Sequence, residues 1–250
     1  MAWLKINYYS EALRLPVAMD VLLPEQGSGA YETLYLLHDM GDGHSAWLRR
    51  SGVERYAERL PLAVIMPAGH LGWYTNMAFG RDYFRFITEE LPALCERTFP
   101  LAAHRDGRYI AGAGAGGYGA VKAGLLASST FAAAGSFSGT LDVLAAYDSM
   151  DPRHAMDVFG ERELAAGSTN DLNAAVKRIA ESDKPKTEMY VSCSIESPNY
   201  NNNEKFCKLM KELEQPFIFR TDHGKGNWAD WDKELEQFVT WLSERKQRSE

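Results

Sequence analysis

The chain has 250 residues, of which 45% are apolar and 24% are charged, and its formal net charge is −7. This length and composition predict a single globular domain over residues 1–250 with a substantial core. Charges of both signs are mixed along the sequence, which excludes a basic stripe for nucleic acid and a polybasic membrane anchor. A small molecule is therefore the expected partner, and assembly into a homo-oligomer is left open.

Signals for targeting, disulfides and metals are weak. Cys95, Cys193 and Cys207 are odd in number and lack C-x-x-C spacing, so neither a disulfide framework nor a zinc site is predicted. Residues 1–10 alternate like a strand and show no signal-peptide pattern, and no apolar run reaches transmembrane length. These features favour a cytoplasmic protein without a cofactor.

Apolar and β-branched runs predict the strands. The first two runs are separated by polar residues and are typical of an antiparallel hairpin. The later runs are apolar on both faces, as buried parallel strands require. The runs lie at 3–9, 15–23, 33–38, 62–66, 108–111, 132–137, 188–192 and 217–219.

Helices are predicted between these strands. Ser51 and Glu54 have the spacing of a capping box, which predicts a helix that starts at Ser51. The stretch 82–99 has helical periodicity, and Pro92 is the one feature that favours a kink. Further helices are predicted at 117–127, 171–181, 203–213 and 231–246.

Strands and helices thus alternate along the chain. This order predicts an α/β fold with a mostly parallel sheet, an antiparallel N-terminal hairpin and helices on both faces, and places ligands at the carboxyl ends of the strands. Residues 141–168 have weaker periodicity and a Pro-rich and Met-rich composition, so we expect a cap-like excursion there.

Four sequence blocks carry a family resemblance. The segment Gly112-Ala-Gly-Ala-Gly-Gly-Tyr-Gly-Ala120 lies between a predicted strand and a predicted helix, which is the context of a G-x-S-x-G nucleophile elbow. The other blocks are Leu36-Leu-His-Asp-Met40 with Trp47-Leu-Arg-Arg50, Gly72-Trp-Tyr-Thr-Asn-Met77, and Trp228-Ala-Asp-Trp-Asp232. Through these blocks the chain resembles the esterase D family of α/β-hydrolases, particularly its tributyrin-esterase-like and acetyl-esterase-like members, over nearly its whole length.

The resemblance implies that the catalytic triad is missing. The nucleophile serine of the family falls on Gly114, the acid on Ser197 and the histidine on Gly226. Acyl transfer by a triad needs a hydroxyl, an imidazole and a carboxylate, so native serine esterase activity is expected to be absent. The resemblance also implies an oxyanion hole formed by backbone N–H groups of Ala115 and near Met40, which do not depend on the lost side chains.

Loss of these side chains predicts a roomier cleft for a small molecule. Its expected ligand contacts are Trp73, Tyr74, Asn76, Met77, Phe79, His223 and Trp228. Three coordinated losses beside intact neighbours favour an engineered active site that binds a small molecule or hosts a non-native reaction. A carboxylic-ester hydrolase with an unrecognised arrangement and a natural non-catalytic pseudoenzyme are the alternatives. Restoring all three side chains is expected to restore short-chain ester hydrolysis.

Other polar residues are candidates for chemistry. Asp39 stands beside the implied oxyanion hole, where the family usually has glycine, and is either a general base with a raised pKa or a solvated loop residue. His223 and Lys225 lie in a Gly-rich loop and are expected to be solvated. Ser138 and Ser197 lack an evident histidine base. The spacing of His38, Asp42, His44 and His70 matches no metal motif.

Overall fold

A computed structural model describes residues 1–25 and 29–249 of the chain. Within them, one eight-stranded sheet has the order β1-β2-β4-β3-β5-β6-β7-β8. The strands are β1 (Ala2–Ser10), β2 (Leu15–Leu23), β3 (Glu32–Leu37), β4 (Leu62–Pro67), β5 (Arg108–Ala113), β6 (Ala133–Phe137), β7 (Glu188–Ser194) and β8 (Phe217–Asp222). The β1–β2 and β2–β4 pairs are antiparallel and the other pairs are parallel, which confirms the predicted mostly parallel sheet with an antiparallel N-terminal hairpin.

Helices surround the sheet. They are α1 (Ala46–Arg50), α2 (Val53–Ala57), α3 (Tyr83–Arg85), α4 (Leu91–Thr98), α5 (Ala115–Leu126), α6 (Val143–Ser149), α7 (Pro152–Phe159), α8 (Arg162–Ala165), α9 (Leu172–Ala180), α10 (Tyr200–Glu212) and α11 (Trp228–Ser249), with a π-helical turn at Phe86–Glu90 and a 3₁₀ turn at Arg105–Gly107. In the described ranges no helix is both long and apolar enough to cross a membrane.

Two hydrophobic cores form on opposite faces of the sheet. Successive residues of a strand point to opposite faces, so Tyr35 and Leu37 pack with α4, α5, α9 and α10, whereas Leu34 and Leu36 pack with α1, α2 and α11. All four side chains are fully buried. This double burial explains why the central strands are continuous apolar runs.

The prediction of a capping box at Ser51 is wrong. Ser51 ends α1, and its Oγ donates to the Trp47 carbonyl at 2.6 Å. Helix α2 begins after it with Gly52 at its N-cap, and Ser51 Oγ accepts from the Val53 N–H at 3.3 Å, not from the N–H of Glu54 as a capping box requires. The Gly52 N–H instead donates to Asp232 Oδ1 on α11 at 2.7 Å. A tertiary contact from a residue distant in sequence therefore helps to hold this helix start, beside the contact of Ser51.

The periodic stretch 82–99 is helical, with an irregular centre. Helix α3 passes through the π-helical turn into α4, and Pro92 lies in the first turn of α4. Proline has no N–H to donate, and the wider turn before it accommodates the missing hydrogen bond. Residues 141–168, expected to form a cap-like excursion, contain α6, α7 and α8 between β6 and β7.

Candidate functional site

Gly114 occupies a tight turn between β5 and α5. Its φ of 53° and ψ of −118° form a backbone conformation that strains residues with a side chain. Helix α5 starts very close to the sheet. A Cβ added at Gly116 would lie only 2.5 Å from the Leu37 carbonyl oxygen, which leaves no room for a side chain there. The segment therefore has the strand, sharp turn and helix of a nucleophile elbow, with glycine at its apex.

The end of β6 joins the elbow to Ser197 and Gly226. The Gly114 carbonyl accepts from the Thr140 N–H at 3.0 Å. A Cβ added at Gly226 would lie 2.8 Å from Ser197 Oγ and 3.2 Å from Ser138 Cβ. Gly226 and Ser197 are thus in contact, and Ser138, beside Gly226, belongs to the same turn as Thr140.

Asp39 occupies the space that a side chain at position 114 would need. Its Oδ1 accepts a hydrogen bond from the Ala115 N–H at 2.7 Å. A Cβ added at Gly114 would lie 2.1 Å from that oxygen and 2.4 Å from Cγ of the same carboxylate. The expectation of space cleared at the elbow is therefore wrong, because the Asp39 side chain fills it and uses an N–H implied for the oxyanion hole.

Burial raises the pKa of the Asp39 carboxyl above its ordinary value. The backbone N–H groups of Ala115 and Met40 oppose this shift, because they stabilise the charged form, while the nearby charge of Asp42 adds to it. Ala115 opens α5, so the helix dipole also favours the anion at this point. Asp39 is thus a partly desolvated carboxylate at a helix N-terminus.

A buried histidine fixes the backbone of Asp39. His38 Nε2 accepts from the Gly69 N–H at 2.8 Å, so Nδ1 carries the proton and donates to the Asp39 carbonyl at 2.7 Å. The Tyr74 hydroxyl donates to the His38 carbonyl at 2.9 Å. Burial lowers the pKa of His38, which keeps the ring neutral and suits these two bonds.

A cleft of about 660 Å³ opens beside Asp39 at the carboxyl ends of the strands. Apolar surface dominates its walls, which come from the loops after β3, β4, β6 and β7 and from the helices between β6 and β7. The lining residues are Asp39, Met40, Gly41, Leu71, Trp73, Thr140, Ala146, Ser149, Met150, Asp151, His154, Pro198 and Asn199. Lysine and arginine are absent from this described lining.

Of the expected ligand contacts, Trp73 lies in the cleft wall. Its Nε1 donates to Met40 Sδ at 3.1 Å, which ties two lining side chains together. Trp73 is itself only 5% exposed, and Tyr74 is buried with its hydroxyl on the His38 carbonyl. Trp228 packs against Trp47 at a ring-centroid distance of 4.9 Å, in the core that includes α11.

The other expected contacts lie outside the described cleft lining. Asn76 Oδ1 accepts the Arg85 N–H at 3.1 Å, and Met77 packs at the edge of a core. Phe79 is 68% exposed. His223 is exposed, and Lys225 is also on the surface. The segment after Thr75 turns toward α3 and α7. The block at 72–77 therefore supplies one residue, Trp73, to the cleft wall.

Helices α6 and α7 and their connection line the cleft with residues that the sequence did not predict. Ala146 and Ser149 belong to α6, and Asp151 is the N-cap of α7, where its side chain accepts the His154 N–H at 3.0 Å. The Asp151-Pro pair before an amphipathic stretch was the available signal for this helix start.

Backbone strain is concentrated around the cleft. His70, Trp73, Tyr74 and Ser138 all have φ between 46° and 52°, in the left-handed region that side chains disfavour. Such strain costs on the order of 1–3 kcal/mol per residue and persists where surrounding contacts enforce it. The loop that carries Trp73 is therefore held in a defined shape.

Glu234 is a buried carboxyl group in contact with the ends of β6 and β7. Its Oε1 accepts from Ser138 Oγ at 3.2 Å and from Ser194 Oγ at 3.4 Å. Burial raises the pKa of Glu234 to about 8, so the group is mostly protonated at neutral pH. The Ser138 hydroxyl is committed to this contact. In the described parts of the chain, no three His, Cys, Asp or Glu side chains form a group suited to a metal.

The sheet order, the glycine-apex elbow between β5 and α5 and the cleft above the strand ends define an α/β-hydrolase. A model of the putative esterase family matches residues 10–242, and the chain belongs to that family.

Relatives match over nearly the full length of both chains. The acetyl esterase of Caldicellulosiruptor saccharolyticus is 25% identical, with 97% of this chain and 98% of the relative covered. FphF of Staphylococcus aureus, a fluorophosphonate-binding serine hydrolase, is 27% identical with a TM-score of 0.91, covering 96% of this chain and 98% of that one. S-formylglutathione hydrolase (FrmB) of Staphylococcus aureus is also 27% identical, with a TM-score of 0.89 and the same coverage.

Proposed function

We propose that this protein binds a small organic molecule in the cleft beside Asp39 and does not act as a serine esterase. The observation that carries the proposal is the Asp39 carboxylate, which contacts the Ala115 N–H and fills the space above Gly114. An ester carbonyl needs that N–H to be free and needs a nucleophile beside it. Neither requirement is met at this elbow.

The relatives named as esterases favour ester hydrolysis as the alternative function. That function would require a different nucleophile, because Gly114 has no side chain. Ser138 is a poor substitute, since its hydroxyl is buried and bonded to Glu234. The concentration of unusual residues at Asp39, Gly114, Ser197 and Gly226 supports a rebuilt active site over gradual decay.

A fluorophosphonate probe is expected not to label this protein, and p-nitrophenyl acetate is expected to be hydrolysed no faster than by a control protein. The probe needs an activated serine Oγ, which the elbow lacks. Intact-mass spectrometry and an absorbance assay measure the two outcomes. FphF, whose name records fluorophosphonate binding, is the positive control. A covalent adduct on any serine here would overturn the proposal.

Base catalysis in the cleft is a second candidate function. The supporting observation is that Asp39 lines the cleft beside Trp73 while burial raises its carboxyl pKa. A desolvated carboxylate is a stronger base than one in water.

Asp39→Asn is expected to remove most of any base-catalysed activity, about 10²–10⁴-fold, because the amide cannot accept the proton. A suitable probe is 5-nitrobenzisoxazole. Its ring C–H proton passes to the carboxylate, the C–H electrons form a nitrile and the N–O bond breaks to release a phenolate. Absorbance of the phenolate gives the rate, and Asp183→Asn, on a surface turn, is the matched control. Equal rates for Asp39→Asn and the parent protein would exclude Asp39 as the base.

A further inference from the structure

We propose that the cleft selects organic cations, specifically an ammonium group on an apolar body, with the ammonium beside Asp39. This inference rests on the proposed binding function and specifies the charge of the ligand. It starts from a 660 Å³ cleft whose described lining has two carboxylates and no lysine or arginine.

Binding of anionic or carbonyl ligands is disfavoured because Asp39 already occupies the Ala115 N–H. In an open hole, the Ala115 N–H would attract a carboxylate or an ester oxygen. Here that N–H is already bonded to Asp39 Oδ1 at 2.7 Å. A ligand anion would therefore meet a negative charge without the donor that could compensate for it.

The same carboxylate favours a positive group. Among the ion pairs of the described residues none includes Asp39, and its charge is held in a partly desolvated position. A ligand ammonium would supply the missing counter-charge and N–H donors to the carboxylate. Asp151, which also lines the cleft, adds negative potential.

The remaining walls suit an apolar ligand body. Met40, Leu71 and Met150 offer flexible or exposed apolar surface, and the Trp73 indole, which is 5% exposed, adds a small edge to this wall. Leu71 is 53% exposed, and burial of such a side chain by a ligand is favourable.

Three probes of similar shape test the charge preference: 3-phenylpropylammonium, 3-phenylpropan-1-ol and 3-phenylpropanoate. Isothermal titration calorimetry at about pH 8 gives the dissociation constants. The cation is expected to bind about 10–100-fold more tightly than the alcohol, and the anion more weakly than the alcohol. If the alcohol or the anion binds as tightly as the cation, the charge inference is overturned and the binding function stands. If no probe binds, the proposed binding function itself fails.

Asp39→Asn is expected to remove the preference for the cation, so that the cation binds no more tightly than the alcohol to this variant. Asp151→Asn is a second variant, which keeps an N-cap acceptor for α7 and should reduce the preference by a smaller factor. Asp183→Asn has the same charge change on a surface turn and should have no effect. Retention of the full preference in folded Asp39→Asn would overturn the assignment.

Discussion

Adding Asp39→Gly to a variant with a restored triad is expected to raise ester hydrolysis by about 10²–10³-fold, which is the typical value of an oxyanion-hole donor. The triad variant carries Gly114→Ser, Ser197→Asp and Gly226→His. The sequence alone predicted that these three changes suffice. Because a Cβ at Gly114 would lie 2.1 Å from Asp39 Oδ1, the structure requires the fourth change.

Asp39→Gly has two effects on the restored site. It opens the space for the hydroxymethyl group that Gly114→Ser introduces, and it frees the Ala115 N–H for the oxyanion of the tetrahedral intermediate. The histidine introduced at Gly226 must also fit, because a Cβ there would lie 2.8 Å from Ser197 Oγ. Replacement of Ser197 by aspartate changes this neighbour, and its carboxylate then orients the imidazole.

Matched controls distinguish the effect of the negative charge of Asp39 from the effect of the space that its side chain fills. The triad variant with Asp39→Asn keeps a side chain of the same shape, so it should remain as slow as the triad variant with Asp39. Asp39→Gly alone lacks a nucleophile and should also be inactive. Thermal melting checks folding first, since side chains at the positive φ of Gly114 and Gly226 cost on the order of 1–3 kcal/mol each. A triad variant as fast as the four-position variant would contradict the role of Asp39.

The fold was largely predictable because the buried strands have simple patterns. The buried β3 and β4 are continuous apolar runs, so their sequences define them. The predicted end of β8 at 219 was too early, because its last three residues are exposed at the edge of the sheet and interrupt the apolar pattern. Residues exposed at the edge of a sheet need not be apolar, so the apolar pattern that predicts buried strands is lost there.

The site was less predictable, since its defining feature is a contact between distant residues. Asp39 and Gly114 are both unusual for the resembled family, and each position could be identified separately. Their contact depends on the approach of α5 to the end of β3, which no local spacing encodes. Paired departures, with a side chain gained at one position and lost at the other, were the available signal for a filled site.

The burial of Lys122 is a second feature that tertiary packing creates and that the sequence pattern of α5 does not predict. It is the single charged residue of α5 and is 2% exposed. Its Nζ donates to Thr75 Oγ1 and, at 2.6 Å, to Asn170 Oδ1, and it lies 5.0 Å from the Phe84 ring centroid. None of the ion pairs in residues 1–25 and 29–249 includes Lys122. Burial therefore lowers the pKa of Lys122 to about 7.

Lys122→Met is expected to raise the free energy of unfolding at neutral pH by about 1–4 kcal/mol, because it removes a buried charge and fills the space with apolar atoms. The unfolded chain binds the lysine proton with a pKa of about 10.5, above the folded value of about 7. The charged group therefore costs the fold most below pH 7, and this cost declines between pH 7 and 10.5 as the unfolded lysine also loses its proton.

Urea unfolding of both proteins at about pH 6.5 and pH 10 measures the difference, which should shrink at the higher pH. Lys205→Met, at an exposed position of α10, should change stability little at either pH. A loss of stability in Lys122→Met at pH 6.5 would instead mean that the bonds to Thr75 and Asn170 outweigh the cost of the buried charge.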